Sequence, residues 1–280
     1  MIQAGFARHA RKAVVYCVLL GGAILTTLPL LFMIATALKA NVYIMETPPQ
    51  FFPQHPTMQN FIDAWSLNNF GLFFGNSLIV AITTTAISVS LSAMMAYAFA
   101  RFAFPGKNLL FYSLLLTLMI PGLMLVIPQF LLAKNLDLLD SRQGLVFVYI
   151  ATSLALNTYI LRAFVEQLPR ELEEAAEVDG SGHIVIFTRI VVPLSTPALA
   201  TVAIFTFLYA WDEFPWAVTA INSDANKTLP MAIALFQTAH QTQWGLVFAA
   251  SLIAIIPVIV VFIVFQRYFV RGLTTGAIKA

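Results

Sequence analysis

The sequence predicts an all-α polytopic membrane protein with six transmembrane helices and both termini in the cytoplasm. Three observations carry that expectation. Hydrophobic residues fill 60% of the 280 positions and the mean hydropathy is +0.84. Charged residues reach only 10%, against about 25% in ordinary soluble domains. Charge-free runs also recur at the length, about 20 helical residues, that crosses a hydrocarbon core about 30 Å thick.

In chain order, the first such run is 13–38, between Lys12 and Lys39. It is too long for a signal-peptide core, and no A-x-A-type cleavage site follows it, so it reads as a retained helix. Its Cys17, the sole cysteine, has no internal disulfide partner and reads as a packing residue. The second run is 76–100, preceded by "GLFFG" at Gly71–Gly75, a small-xxx-small pattern. The third, 108–133, contains "LTLMIPGLMLVIPQF". Pro121, Gly122 and Pro128 there predict a bent or broken helix, because proline removes a backbone donor and clashes with the preceding turn. The fourth is 143–161, the fifth 190–211 and the sixth 245–266, with further proline weak points at Pro29 and Pro257. The expected organisation is one transmembrane domain over 1–280, with a loop at 162–189.

Lys and Arg placement orients the bundle. With the N-terminus inside, Arg8, Arg11, Lys12, Arg101, Lys107, Arg162, Arg170, Arg189, Arg267, Arg271 and Lys279 are cytoplasmic. Lys39, Lys134, Arg142 and Lys227 are outside. Eleven against four follows the positive-inside rule, and the pI near 8.7 reflects that asymmetry rather than a nucleic-acid surface. Several function classes are disfavoured. None of the six runs holds an Asp, Glu, Lys, Arg or His, whereas ion-coupled carriers and channels usually place such groups at membrane depth. No Walker A pattern occurs, since "RFAFPGKN" lacks the first glycine. His9, His55, His183 and His240 have neither metal-ligand nor triad spacing. No enzyme, metal or cofactor of this chain is expected.

The 162–189 loop is anomalous. Six of the 13 acids, Glu166, Glu171, Glu173, Glu174, Glu177 and Asp179, lie within fourteen positions. Pro169 reads as the first residue of a helix whose N-terminal dipole favours the glutamates. In helical register Leu168, Leu172, Ala175 and Ala176 share a face that a partner can approach closely. Gly180 and Gly182 suit a helix end and a turn. The following "HIVIFTRIVV" puts Ile184, Phe187, Thr188 and Val191 on one face. A helix lying on anionic lipid would carry Lys and Arg instead, so a basic protein partner fits better.

"EAAEVDG" at 174–180, followed after nine residues by "IVVP" at 190–193, resembles the EAA signature of binding-protein-dependent ABC importer permeases. Val192 stands where that family usually has leucine. "AYAFARFAFPGK", "AWDEFPWAV" and the tail "QRYFVRGLTTGAIKA" are similar to the maltose-transporter type of sugar permease. Asp212 departs from that pattern, standing where many such permeases have asparagine. The resemblance implies the ABC importer type I permease fold in an inner membrane. It implies a second six-helix permease, two copies of a cytoplasmic ATPase that bind ATP and Mg, and an extracytoplasmic solute-binding protein. It implies an ATPase-coupling set of Glu174, Ala175, Ala176, Asp179, Gly180 and Pro193, with Glu174 pairing a basic residue of the ATPase.

The solute is expected to be a carbohydrate, with glycerol phosphate or a glycerophosphodiester as the alternative. Asn157, Thr158, Trp211 and Trp216 are candidates to line its path, though interfacial Trp also anchors helices and Asn or Thr also bonds between them. Asn222, Asp224 and Asn226, in "NSDANKTLP", are candidates to meet the binding protein.

Overall fold

A computed structural model describes the backbone of residues 2–40, 51–237 and 242–277, and the side chains of 12–40, 51–237 and 242–266. Arg8, His9, Arg11, His240, Arg267, Arg271 and Lys279 lie outside the described side chains. The described residues are helical, without strands beyond one isolated antiparallel bridge between Gln237 and Thr242. In order they form α1 (Ile2–Ala37), α2 (Gln59–Ser66), α3 (Phe70–Arg101), α4 (Lys107–Leu116), α5 (Val126–Asn135), α6 (Arg142–Val165) and α7 (Glu171–Val178). Then come α8 (His183–Ile186), α9 (Val192–Leu194), α10 (Thr196–Asp212), α11 (Pro215–Ala220), α12 (Leu229–Ala234) and α13 (Trp244–Ala277).

Four helical segments are long and apolar enough to cross a membrane unbroken: Lys12–Ala37, Phe70–Arg101, Arg142–Val165 and Trp244–Gln266. Two more spans exist only if bent pairs are counted, Lys107–Met119 with Gly122–Asn135 at 101° and His183–Leu194 with Thr196–Asp212 at 77°. The first bend has a local cause. Ile120 is extended (φ −91°, ψ 121°), the state favoured before proline, and Pro121 continues extended at ψ 126°. Pro128 does no such damage, because it falls in the first turn of α5, where an N–H has no intrahelical acceptor. Pro29 and Pro257 also lie within continuous helices. The second bend falls at Ser195, after a π-helical turn over Phe187–Val191 and between Pro193 and Pro197. α3 starts at Phe70, ahead of the expected start near Asn76. Asn76 is tolerated inside the helix because its amide donates to the carbonyls of Ala225 and Lys227, each at 2.9 Å.

The contacts divide the chain into two compact units. In the one comprising 1–68 and 233–254, the buried Asn60 of α2 closes the end of α1 by donating to the carbonyls of Ala37 (2.8 Å) and Lys39 (2.6 Å). Gly245 lies against that amide, where a Cβ would sit 2.7 Å from Asn60 Nδ2. Cys17, expected to pack, is exposed, as is the whole apolar window of α1. Such a helix is stable only with lipid or another protein around it.

In the unit comprising 69–232 and 255–280, α3 packs along α6 and α10 crosses both. Ser77, Ala81, Thr84, Ser88, Ser92 and Ala96 are buried along one stripe of α3. Small side chains at this spacing let helix backbones approach where lipid supplies no hydrophobic drive. Gly75 of the expected "GLFFG" contact has open space where a Cβ would lie, so the close packing runs along the Ser77–Ala96 stripe instead.

Candidate functional site

The acid-rich loop folds as a helical hairpin. α7 begins at Glu171 rather than at Pro169, with Arg170 helical at its N-cap and the Arg170 carbonyl accepting from the N–H groups of Glu173 (2.9 Å) and Glu174 (3.0 Å). Glu171, Glu173 and Glu174 occupy the first turn, where the helix dipole stabilises negative charge. The helix ends because Gly180 takes a left-handed conformation (φ +82°). Ser181 N–H then reaches back to the Ala176 carbonyl at 2.9 Å, closing the end.

One glutamate points inward. Glu173 Oε1 accepts from Arg101 Nε at 2.6 Å, and these side chains are only 10% and 7% exposed. Arg101 also donates from Nη2 to the Leu168 carbonyl at 3.0 Å. The last residue of α3 therefore holds both the entry to α7 and its first turn. Beneath them Tyr97, Ala100, Val165, Ile186 and Val191 form a buried cluster, with Leu168, Ala176, Phe187 and Ile190 packed on it.

The inward faces differ from those read off the sequence. Leu172 is 46% exposed and Ile184 80% exposed, so Leu168 and Ala176 anchor α7 while Ile186 and Val191, not Ile184 and Thr188, anchor the return. The salt bridge sets the first rotation, because turning Glu173 toward Arg101 turns Leu172 out. Glu174, Ala175, Asp179 and Gly180 are exposed, as is Pro193 further on, and Ala176 is half-buried. Val178, 88% exposed, joins them. The hairpin thus shows a mixed acidic and apolar face on a rigidly held base. Glu173 and Arg101 escaped sequence reading. Neighbouring glutamates sit about 100° apart on a helix, so one of the two had to turn aside, but its partner is 72 residues earlier.

The candidate path residues lie deeper in this unit. Asn157 Nδ2 donates to Thr206 Oγ1 (2.8 Å) and Ser88 Oγ (3.2 Å), tying α6 to α10 and α3. Thr158 is fully buried, with its hydroxyl 4.0 Å from Met95 Sδ. Trp211 is 1% exposed, stacked on Phe207 at 5.7 Å and edge-on to Phe74 at 5.5 Å. Trp216 borders a cleft of about 900 Å³ formed by the broken α4–α5 span, α6, α10 and α11. Glu213 stands beside it, accepting from Tyr149 Oη (2.6 Å) and from the N–H groups of Trp216 (2.7 Å) and Ala217 (3.1 Å).

At the end of α3 remote from Arg101, the polar loop is tied down. Asp140 Oδ1 accepts from Asn222 N–H (3.0 Å), Ser223 N–H (2.9 Å) and Ser223 Oγ (2.9 Å), while Asn226 Nδ2 donates to the Asp140 carbonyl at 2.6 Å. These bonds, the Ser223 N–H first, hold the Asp140 carboxyl below its ordinary pKa. Asp224 pairs with Lys227 at 2.6 Å and stays exposed, as does Asn222. Among the described residues no His, Cys, Asp and Glu cluster could hold a metal ion.

A helical membrane bundle with an anchored acidic hairpin is the arrangement of a permease-type subunit. Comparison gives the family. Residues 88–275 match the model of the binding-protein-dependent transport system inner membrane component, and the chain belongs to that family. The diacetylchitobiose uptake system permease protein NgcG of Streptomyces coelicolor is 33% identical over 95% of this chain and 89% of its own. The trehalose transport system permease protein SugB of Mycobacterium tuberculosis is 37% identical over 90% and 92%. A chain from the crystal structure of a bacterial ABC transporter that imports the acidic polysaccharide alginate shares the fold, with a TM-score of 0.81, 23% identity and coverage of 92% and 96%. The chain is a non-catalytic subunit of an inner-membrane transporter, and in such systems a partner ATPase hydrolyses ATP.

Proposed function

We propose that this chain forms half of the translocation pathway for a carbohydrate in an ATP-driven importer, as one permease domain over 1–280 with both termini in the cytoplasm. It pairs with a second six-helix permease, rests on two copies of an ABC ATPase that bind ATP and Mg, and receives solute from an extracytoplasmic binding protein. Membrane lipid covers its remaining apolar surface. The observation that carries the reading is the hairpin: Glu173 fixes α7 to α3 while Glu174, Ala175, Asp179 and Gly180 face outward. In this role Glu174 meets a basic residue of the ATPase, Ala175 and Ala176 allow close approach, Gly180 makes the turn, and Pro193 starts the return to the membrane. A charge-assisted contact of this kind fixes register more than it adds affinity. The Asn222–Asn226 loop, braced on Asp140, offers Asn222, Asp224 and Asn226 to the binding protein. The sugars named for the relatives, diacetylchitobiose and trehalose, support the solute class.

The test is ATP hydrolysis and uptake by the intact transporter in proteoliposomes, with its binding protein and a panel of disaccharides, monosaccharides and glycerophosphodiesters. Sugar-stimulated hydrolysis that drives uptake is expected, and Glu174→Lys is expected to abolish uptake while the complex still inserts. Normal uptake in Glu174→Lys would remove the hairpin from the coupling role, and stimulation only by glycerophosphodiesters would overturn the solute class.

A further inference from the structure

Resting on the carbohydrate reading, we infer that the α4–α5 cleft is a solute-contacting site whose free Asp212 carboxylate selects uncharged or amine-bearing sugars against anionic ones. The cleft holds about 900 Å³, within the range of sites that enclose small organic ligands. One wall is the break between Thr117 and Val126, where the chain leaves helical geometry at Ile120–Pro121. Backbone that is not helical is tolerated at membrane depth only where protein buries it or it lines a polar cavity. The polar lining suits a sugar. Gln129 offers an amide, Thr117 and Thr152 offer hydroxyl oxygens as acceptors while donating to the Leu114 and Val148 carbonyls, and Tyr209 offers a partly exposed ring. Trp216 borders the same space with a buried Nε1 that has no acceptor.

The charge is one-sided. Asp212 and Glu213 line the cleft, and among the described residues no Lys, Arg or His does. Both Glu213 oxygens are already engaged by Tyr149, Trp216 and Ala217. Asp212 is exposed, and its carboxylate makes no hydrogen bond or ion pair among the described residues. A free carboxylate accepts from sugar hydroxyls or an ammonium group and repels phosphate, sulfonate or uronate.

The test uses the intact transporter in nanodiscs, with Cys17→Ser and a reporter Thr152→Cys in this chain. Labelling by cationic and anionic methanethiosulfonate reagents is timed with and without Asp212→Asn, and then with trehalose, maltose, diacetylchitobiose or trehalose 6-phosphate present. Expected is roughly tenfold faster labelling by the cationic reagent, from Coulomb interaction of unit charges at a few ångströms in water. That bias should fall several-fold in Asp212→Asn, Glu213 keeping its charge, and at least one neutral disaccharide, but not the phosphate ester, should protect the reporter. Absence of labelling would mean lipid or a partner helix fills the cleft and would overturn the inference, as would a bias indifferent to Asp212→Asn or protection by the phosphate ester. ATP-driven uptake by the transporter without the reporter or Asp212 substitutions, in a parallel preparation, separates the two readings. Uptake of sugar without labelling refutes the cleft, whereas labelling bias without uptake of any sugar refutes the import reading.

Discussion

Replacing Glu173 with alanine tests whether the hairpin is held by one ion pair. The change leaves the Arg101 side chain, 7% exposed, without the acceptor that its Nε meets at 2.6 Å. Removing one member of a buried pair costs about 3–5 kcal/mol. Here the loss is smaller, because Arg101 keeps the Leu168 carbonyl at 3.0 Å and cytoplasmic water can enter when α7 lifts. The bond lost is charge-assisted, worth about 1.5–3 kcal/mol, so about 2–3 kcal/mol should leave the docked state. That raises the undocked population roughly 30- to 150-fold. Hydrogen exchange of peptides covering α7 in the intact transporter reads this opening directly. Arg101→Lys keeps the charge but loses the fork and should fall between Glu173→Ala and the natural protein. Glu174→Gln should change α7 exchange far less than Glu173→Ala, since that side chain faces out and its proposed contact fixes register more than it adds affinity. Unchanged α7 protection in Glu173→Ala would refute the anchor, and the apolar cluster alone would then hold the hairpin.

Two further outcomes follow from other bonds. Asn157→Leu should cost only about 1 kcal/mol, near the average for interhelical bonds in membranes, because Ser88 keeps Ser153 and Thr206 keeps the Val202 carbonyl. A thermal midpoint in detergent lowered by more than about 10 °C, with uptake lost, would instead show a network that cannot spare one member. Asp140, whose carboxyl sits below its ordinary pKa, stabilises the 222–226 loop at pH values above the unfolded pKa of about 3.9. That contribution disappears as pH falls through the lower folded value. Limited proteolysis of the loop should therefore be flat from neutral pH to about 5 and rise under acid, and Asp140→Asn should raise it at every pH. Equal cleavage of Asp140→Asn and the natural protein would dismiss the clasp.

What the sequence made legible was periodic and local. Charge-free length matched four helices long and apolar enough to cross a membrane, and the proline-rich third run announced a break that appears as the 101° bend. Even so, the same residue had different consequences at different sites. Pro29 and Pro257 stayed inside helices and Pro128 fell in a first turn. Pro121, with Gly122 after it, left a gap within the third run. A proline fixes its own φ and disfavours helix before it, but whether the helix resumes depends on what packs around the turn, which no short window contains.

The same division explains the candidate site. An acidic helix with Gly180 at its end could be read locally, because dipole and turn act within a few residues. Which glutamate faces outward could not, since Arg101 lies 72 residues from Glu173 in the chain. Asn157 poses the matching problem within the membrane: a polar amide in an apolar helix fits either a solute contact or a bond between helices. Its donors reach Ser88 and Thr206, 69 and 49 residues away, so burial spends both on neighbours and leaves none for a passing sugar. Asp212 differs because its nearest acid, Glu213, already takes the Tyr149 hydroxyl and two backbone N–H groups. Adjacent carboxylates are thereby divided between holding the cleft together and facing what enters it, as Glu173 and Glu174 are divided between the bundle and the outward face of α7.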